Sequence, residues 1–192
     1  MVATKDKQSV ILQAALELIA EHGFHGAPMA LVAKRAGVSA GIIYHYFASK
    51  EDLIHALYQR VEGEFKRALV AGNPQALPLA GAFRQIWLNG YHFYRAHPHE
   101  ARFFEQYKHS PFYHPPATAA EALTYDGMEF LTGLFTADPA DRPIKDLPFV
   151  VIYELSLGVA ARVALYYAVA PGEPDDQLLD QIAAACWQAI AR

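Results

Sequence analysis

The chain has 192 residues, of which 53% are apolar, so it can bury a core and is too apolar to be disordered. Its 12 glycines and 12 prolines exclude collagen-like and low-complexity structures, and its one cysteine, Cys186, excludes an internal disulfide and a thiolate metal cluster. The net charge of −4 excludes a protein that binds nucleic acid nonspecifically over its whole surface.

Helical periodicity is the dominant pattern in the first part of the chain. Apolar residues recur at helical spacing over about 7–22, and Gly23 is expected to end this first helix. A second, short helix is predicted over 28–36 because proline suits its first turn. We expect this second helix to bury Leu31 and Val32.

A sharp turn links the second helix to a third one. Gly37 is expected to end the second helix, and Ser39 is a suitable N-cap for a helix over about 39–46. Two short helices joined in this way match a helix-turn-helix. The residues expected to face inward are Val38, Ile43 and Phe47, and those left on the outer side are Ala40, Gly41, Ile42, Tyr44 and His45.

The rest of the chain is also predicted to be helical. Ser49, an N-cap followed by acidic residues, predicts a long helix that ends near Leu69. Further helices are predicted at about 79–96, 99–108, 116–136, 147–170 and 175–191. The predicted fold class is therefore all-α with about nine helices, in which a three-helix head is joined by the long helix to a C-terminal bundle. We expect a helix-turn-helix domain over 1–48 and a ligand-binding and dimerisation domain over 49–192.

Charge is unevenly distributed along the chain. Residues 1–50 carry a local charge of +2, whereas residues 68–192 carry −5. Lys34, Arg35 and Lys50 flank the outer side of the third helix, where the phosphates of a bound duplex would lie. The pattern alone leaves two interpretations open, a DNA-binding module and an ordinary helical hairpin in a core.

The segment over 11–61 strongly resembles the N-terminal domain of the TetR family of bacterial transcriptional repressors. The motifs that carry the resemblance are Ala36-Gly37-Val38-Ser39, Tyr44-His45-Tyr46-Phe47 and Ser49-Lys50-Glu51-Asp52-Leu53. The resemblance implies that Tyr44 and His45 contact DNA, that Lys50 binds a phosphate, and that residues 40–42 supply base readout. The full set of candidate DNA-binding residues is Lys34, Arg35, Ser39, Ala40, Gly41, Ile42, Tyr44, His45 and Lys50.

The sequence departs from the family pattern in two places, at Ala27-Pro28 and at Ile42. Family members usually have serine or threonine where Ala27 and Pro28 stand, so the side-chain cap of the second helix is lost here and one phosphate contact is in doubt. Position 42, which is commonly threonine, is isoleucine. We therefore expect an apolar contact at Ile42, for example with a thymine methyl group.

The last two predicted helices, over 147–170 and 175–191, are expected to form a homodimer surface. The final helix has one apolar stripe, and the helix before it is apolar on more faces than a single core covers. A two-fold dimer would place two recognition helices about 34–36 Å apart and predicts a palindromic operator. Cys186 lies in the stripe and is expected to be a packing residue.

The middle of the chain is rich in aromatic residues, most of which are expected to be core. Their density exceeds what helix contacts need, and in the resembled family such a region holds the inducer. The candidate ligand-binding residues are Trp87, Phe104, Tyr107, Tyr125 and Met128. We expect a flat or elongated, mainly hydrophobic small molecule, oriented by the polar ends of Trp87, Tyr107 and Tyr125.

Other function classes are disfavoured. No metal or other cofactor is expected, because the histidines at 92, 97, 99, 109 and 114 lack metal-ligand spacing. No phosphate loop, nucleophile elbow or pair of carboxylates indicates an enzyme. A membrane span over 147–170 is disfavoured by Glu154 and Arg162, and a helix buried between others in a soluble core is expected instead.

The sequence thus predicts a ligand-responsive transcriptional regulator. It would bind double-stranded operator DNA as a homodimer, act as a repressor, and be released by a small-molecule inducer. The start of the chain lacks the apolar stretch of a signal peptide, so a cytoplasmic location is expected. The alternative is a helical interaction or sensor module of the same fold that no longer binds DNA.

Overall fold

A computed structural model describes residues 3–114, 116, 118–123, 128–136, 138 and 142–192. The described residues form eleven α-helices, one 3-10 helix and no strand, which confirms the all-α class. In the first part of the chain the helices are α1 (Ala3–His22), α2 (Met29–Arg35), α3 (Ala40–Tyr46), α4 (Lys50–Leu69), the 3-10 helix Pro74–Ala76, α5 (Leu79–Ala96) and α6 (Pro98–Lys108). They continue with α7 (Ala119–Ala122), α8 (Glu129–Thr136), α9 (Phe149–Glu154), α10 (Leu157–Tyr167) and α11 (Asp176–Ile190).

The chain divides into two compact units. The first contains Met1–Glu62 and His97–His114, and the second contains Gly63–Ala96 and Pro115–Arg192. The first unit therefore takes in α6 as well as the three N-terminal helices and most of α4. The predicted domain boundary after residue 48 stays a prediction.

The core of the first unit is formed by α1, α4 and α6. The α1 stripe includes Ile11 and Leu18, which are almost completely buried, and α4 adds Leu57. The rings of Phe103 and Tyr107 bring α6 into the same cluster. These residues follow the helical spacing that places one apolar stripe on one side of a helix, and their packing fixes the platform on which α2 and α3 rest.

Leu31 corrects one expectation for α2. The helix buries Met29, Val32 and Ala33, whereas Leu31 is 37% exposed. Burial at those three positions follows the i, i+3, i+4 spacing of one helical face. Leu31 lies about 200° around the helix from Met29 and so cannot share that face.

The second unit is organised around α5. This helix packs against α10 and α11, with Ile86 and Trp87 buried along it. Gly90 lets the side chains of Leu157 and Leu69 come close to the backbone of α5. A Cβ atom at this position would lie 2.9 Å from the Leu157 side chain and 3.4 Å from that of Leu69. A smaller cluster joins Ile144, Ile152 and Ile190.

The predicted helix over 147–170 is two helices, α9 and α10. Ser156 lies between them, and its hydroxyl donates to the Ile152 carbonyl at 2.6 Å. The indole N–H of Trp87 donates to the Ser156 carbonyl at 3.2 Å. This break carries no proline and depends on contacts with the preceding helical turn and with α5.

The expectation that this stretch is buried within the chain is wrong. Only 22% of its most apolar window is buried. The exposed large apolar side chains of this region are Leu147, Val150, Val151, Leu155, Tyr166, Val169 and Leu178, which we call the apolar face. Within the chain, α10 packs against α5, and the cluster of Ile144, Ile152 and Ile190 joins α9 to α11.

The predicted helix over 116–136 corresponds to α7 and α8 in the described residues. Residues 124–127 lie outside those residues. The ligand-binding prediction for Tyr125 therefore also falls outside them.

Candidate nucleic-acid interface

The turn between α2 and α3 is a Schellman motif. The Val38 amide donates to the Ala33 carbonyl at 3.0 Å, and the Gly37 amide donates to the Lys34 carbonyl at 3.2 Å. Gly37 has φ +67°, a left-handed conformation that favours glycine. The glycine therefore allows the two helices to follow each other with only three residues between Ala36 and α3.

The inner side of α3 anchors it to the first unit. Ile43 is fully buried and Phe47 nearly so, as predicted. Val38, Ile42 and Tyr46 are partly buried against the same cluster. One side of α3 is therefore packed against the core of the first unit from its start to its end.

The outer side of α3 is open to solvent. Ala40, Gly41 and His45 are exposed, and Tyr44 is 55% exposed. Ile42 is half-buried, so part of its side chain remains accessible. The sequence therefore predicted which residues of α3 face the core and which face solvent, apart from the partial burial of Ile42.

The three cationic side chains beside α3 differ in whether they pair with other groups of the chain. The Arg35 guanidinium pairs with Glu17 at 3.2 Å and with Glu21 at 3.4 Å, which ties α2 to α1. The Lys50 ammonium donates to the Phe24 carbonyl, and burial lowers the pKa of Lys50. Lys34 is exposed. No local pattern in the sequence indicates these partners, because they lie 14 to 26 positions away.

The helix caps agree with the sequence in part. The Ser49 hydroxyl accepts a hydrogen bond from the Asp52 amide at 3.0 Å, as an N-cap does. Pro28 occupies the N-cap position of α2 without a side-chain cap, as expected from its departure from the family pattern. Ser39 is at the N-cap position of α3, but its hydroxyl makes no capping bond.

Comparison with known proteins identifies both parts of the chain. Residues 11–57 match the family described as bacterial regulatory proteins, tetR family, and residues 78–191 match a tetracyclin repressor-like C-terminal domain. The second match alone spans more than half of the chain. The chain belongs to the TetR family.

Individual relatives agree with this membership. The fatty acid metabolism regulator protein of Bacillus subtilis is 42% identical over 65 residues, 34% of each chain. The regulator BetI of Escherichia coli is 41% identical over 76 residues, 40% of this chain and 38% of that protein. The matches therefore span between a third and two-fifths of these relatives. A TetR-family regulator from Marinobacter aquaeolei shares the fold, with a TM-score of 0.84, 22% identity and coverage of 100% and 99% of the two chains.

In this TetR-family protein, two of the predicted ligand-binding residues belong to the first unit. Tyr107 stacks on Tyr58 at 4.4 Å between ring centroids, and Phe104 meets Tyr58 edge-on at 6.1 Å. The Tyr58 hydroxyl donates to Glu62 at 3.0 Å. Burial and the nearby Glu62 carboxylate raise the pKa values of Tyr58 and Tyr107, so both phenols are neutral at physiological pH.

Trp87 and Met128 belong to the second unit, and both are almost completely buried. Tryptophan has a single polar hydrogen, and the Trp87 N–H already donates to Ser156. A ligand beside Trp87 would therefore meet an apolar ring rather than a free donor. Cys186 is buried as predicted, and burial raises the pKa of its thiol.

A cleft of about 220 Å³ in the first unit was not predicted. Its lining comprises Glu51, Asp52, His55, Tyr107, Phe112 and His114. The segment after α6 brings the last two residues beside the start of α4, which no local pattern in the sequence indicates. The mixed polar lining differs from the hydrophobic site expected for the inducer.

The described residues contain no group of three or more His, Cys, Asp or Glu residues placed to hold a metal ion. One stretch, Phe149–Tyr167, is long and apolar enough to cross a membrane. Glu154 and Arg162 lie within it, and the break at Ser156 divides it into α9 and α10.

Proposed function

We propose that this protein is a transcriptional regulator that binds operator DNA through α3 and is released by a small-molecule inducer. The observation that carries the proposal is the anchored recognition helix. Its inner residues, Ile43 and Phe47, are buried, while Tyr44 and His45 stand in solvent. A helix held on one side and open on the other suits insertion into a major groove.

DNA binding is tested by measuring affinity for the DNA beside the gene, against a random duplex, over a range of salt concentrations. We expect the adjacent fragment to bind more tightly, with affinity falling as salt rises. Tyr44→Ala should weaken this binding about tenfold, by loss of one of the contacts that typically carry 1–3 kcal/mol. Leu77→Ala, which changes an exposed apolar residue of the second unit, is the matched control and should bind normally. Equal affinity for both DNAs would exclude a specific regulator.

The proposed inducer is a flat or elongated, mainly hydrophobic compound. From the sequence, its predicted contacts are Trp87, Phe104, Tyr107, Tyr125 and Met128, of which Phe104 and Tyr107 belong to the first unit. The name of the Bacillus subtilis relative refers to fatty acid metabolism, so long-chain acyl compounds are one class to screen beside flat aromatic ones. Release of the protein from its operator is the readout. Release by small hydrophilic anions alone would contradict this part of the proposal.

Coupling between ligand and DNA would pass through α4. This helix contributes residues up to Glu62 to the first unit and from Gly63 onward to the second. A ligand that favours a tilted α4 would move the heads of a dimer off groove spacing. Because such coupling is reciprocal, operator DNA should weaken inducer binding by the same factor.

The regulator is proposed to act as a homodimer in the cytoplasm. The apolar face supports a dimer, since its seven large apolar side chains are exposed on the single chain. Two recognition helices related by two-fold symmetry would read a palindromic operator.

A second candidate function is a helical interaction module that no longer binds DNA. It is favoured by the pairing of two of the candidate cations within the chain. Arg35 pairs with Glu17 and Glu21, and Lys50 donates to the Phe24 carbonyl. Lysine and arginine that face phosphates supply most nonspecific affinity for DNA. The salt series described above separates the two functions, because this module would bind neither fragment.

A further inference from the structure

The exposed chemistry of α3 is unusual for a helix that reads base pairs. The seven residues Ala40–Tyr46 include no arginine, lysine, asparagine or glutamine. Those are the side chains that form paired hydrogen bonds with guanine or adenine in the major groove. The helix also has no aspartate or glutamate to accept from cytosine. Its first turn consists only of Ala40, Gly41 and Ile42.

The apolar group that a base pair presents in the major groove is the C5 methyl of thymine. Ile42 suits such a contact, because its side chain is half-buried against the head core and half-exposed. Packing on one side limits its rotamers, so less side-chain entropy is lost when the exposed part meets a partner. Ala40, two residues earlier, is exposed and adds little bulk at the start of the helix.

Gly41 lies between these two residues and leaves room for close approach. A Cβ atom there would meet only the Ser39 hydroxyl within the described chain, at 4.0 Å. The backbone at Gly41 does not have the positive φ that favours glycine. The missing side chain is therefore not explained by the fold and fits a surface that approaches a partner closely.

We propose that Ile42 is a specificity-determining residue that reads thymine methyl groups, with Ala40 and Gly41 allowing the helix to approach them. This inference rests on the proposed function, because it names the base feature that the same helix recognises. It predicts an operator whose contacted positions in each half-site are thymines. It assigns sequence readout to apolar contact rather than to paired hydrogen bonds.

The test begins with selection of the operator from a pool of random duplexes by the full-length protein. Each thymine of the selected half-site is then replaced by deoxyuridine, which removes the C5 methyl and keeps the hydrogen-bonding groups. We expect affinity to fall about fourfold for each methyl that is contacted, the value of one buried methyl group. Deoxyuridine at positions outside the protected sequence should have no effect.

Ile42→Ala assigns the effect to this side chain. The ratio of affinities for the thymine and deoxyuridine operators should fall toward one in this variant. Both affinities are measured with the same preparation, so any loss of folded protein cancels from the ratio. Leu31→Ala is the matched control, since Leu31 is a partly exposed apolar residue on α2, and it should keep the ratio of the unmodified protein.

Each outcome decides between the inference and the proposed function. Tight binding to a selected operator that deoxyuridine never weakens would overturn the inference and leave the proposed function intact. A deoxyuridine effect that persists unchanged in Ile42→Ala would overturn the assignment to Ile42. Selection of no sequence at all would remove the proposed function and the inference together.

Discussion

Gly41 of α3 is a glycine that neither packing nor backbone conformation within the chain requires. A glycine in a helix is less favourable than alanine because it loses more backbone freedom on folding. Space for a methyl group is present within the chain, and φ is not positive. The first unit therefore bears a small cost at Gly41 that packing does not require.

Gly41→Ala separates the two effects. We expect the free energy of unfolding to rise by about 0.5–1 kcal/mol, from the better helix propensity of alanine. Operator affinity should fall, because the new methyl group stands between the helix and the groove. Chemical denaturation and DNA titration measure the two quantities on one sample. A gain in stability with unchanged affinity would show that no partner approaches this position.

The conformation of a residue can often be predicted from its sequence neighbours, whereas its distant contacts cannot. Gly23 and Gly37 could be predicted, because a helix end favours glycine at a left-handed position and both have positive φ. The pairing of Arg35 with Glu17 and Glu21 could not be predicted, since it depends on how α1 and α2 pack. The same holds for Lys50, whose partner is a backbone carbonyl that has no side-chain signature.

At the scale of elements, the break between α9 and α10 is set by a tertiary contact. Local composition predicts one helix there, since no proline interrupts it. The Trp87 N–H donates to the Ser156 carbonyl from a fully buried position on α5. Sequence periodicity locates helices well but cannot reveal a break whose partner lies 69 residues away.

Trp87→Phe should destabilise the protein. The change removes the donor to Ser156 and part of the ring volume, and the expected loss is about 1–3 kcal/mol in the free energy of unfolding. Trp187→Phe makes the same change at a half-buried position in the smaller cluster and is the control, with a smaller expected loss. Thermal unfolding of both variants gives the comparison. Equal losses would mean that the hydrogen bond to Ser156 contributes nothing measurable.

At the scale of the whole molecule, nothing within the single chain explains why the side chains of the apolar face are exposed. Val150 and Tyr166 are more than half exposed, and Val169 is 81% exposed. Exposed apolar side chains that form a patch mark association sites, and the apolar face has seven large ones. The sequence indicated this surface through excess apolar composition, but not which side chains the chain itself would cover.

Val150→Asp tests this surface in solution. In a two-fold dimer the charge would enter the interface from both subunits, so we expect dimerisation to weaken at least about tenfold, or 1.4 kcal/mol. Sedimentation at several protein concentrations measures the change. Leu77→Asp places the same charge on an exposed apolar residue outside the apolar face and should leave association unchanged. Dissociation by both variants would indicate a general effect of charge.

The first unit is discontinuous along the chain, since its core is completed by Phe103 and Tyr107 of α6. A chain truncated after residue 62 would contain the recognition helix but lack those two rings. Part of the apolar surface of α1 and α4 would then be exposed to water. During synthesis the ribosome must likewise deliver α6 before this core can close. A nascent chain is therefore expected to acquire a stable recognition helix only after more than half of its length has been translated.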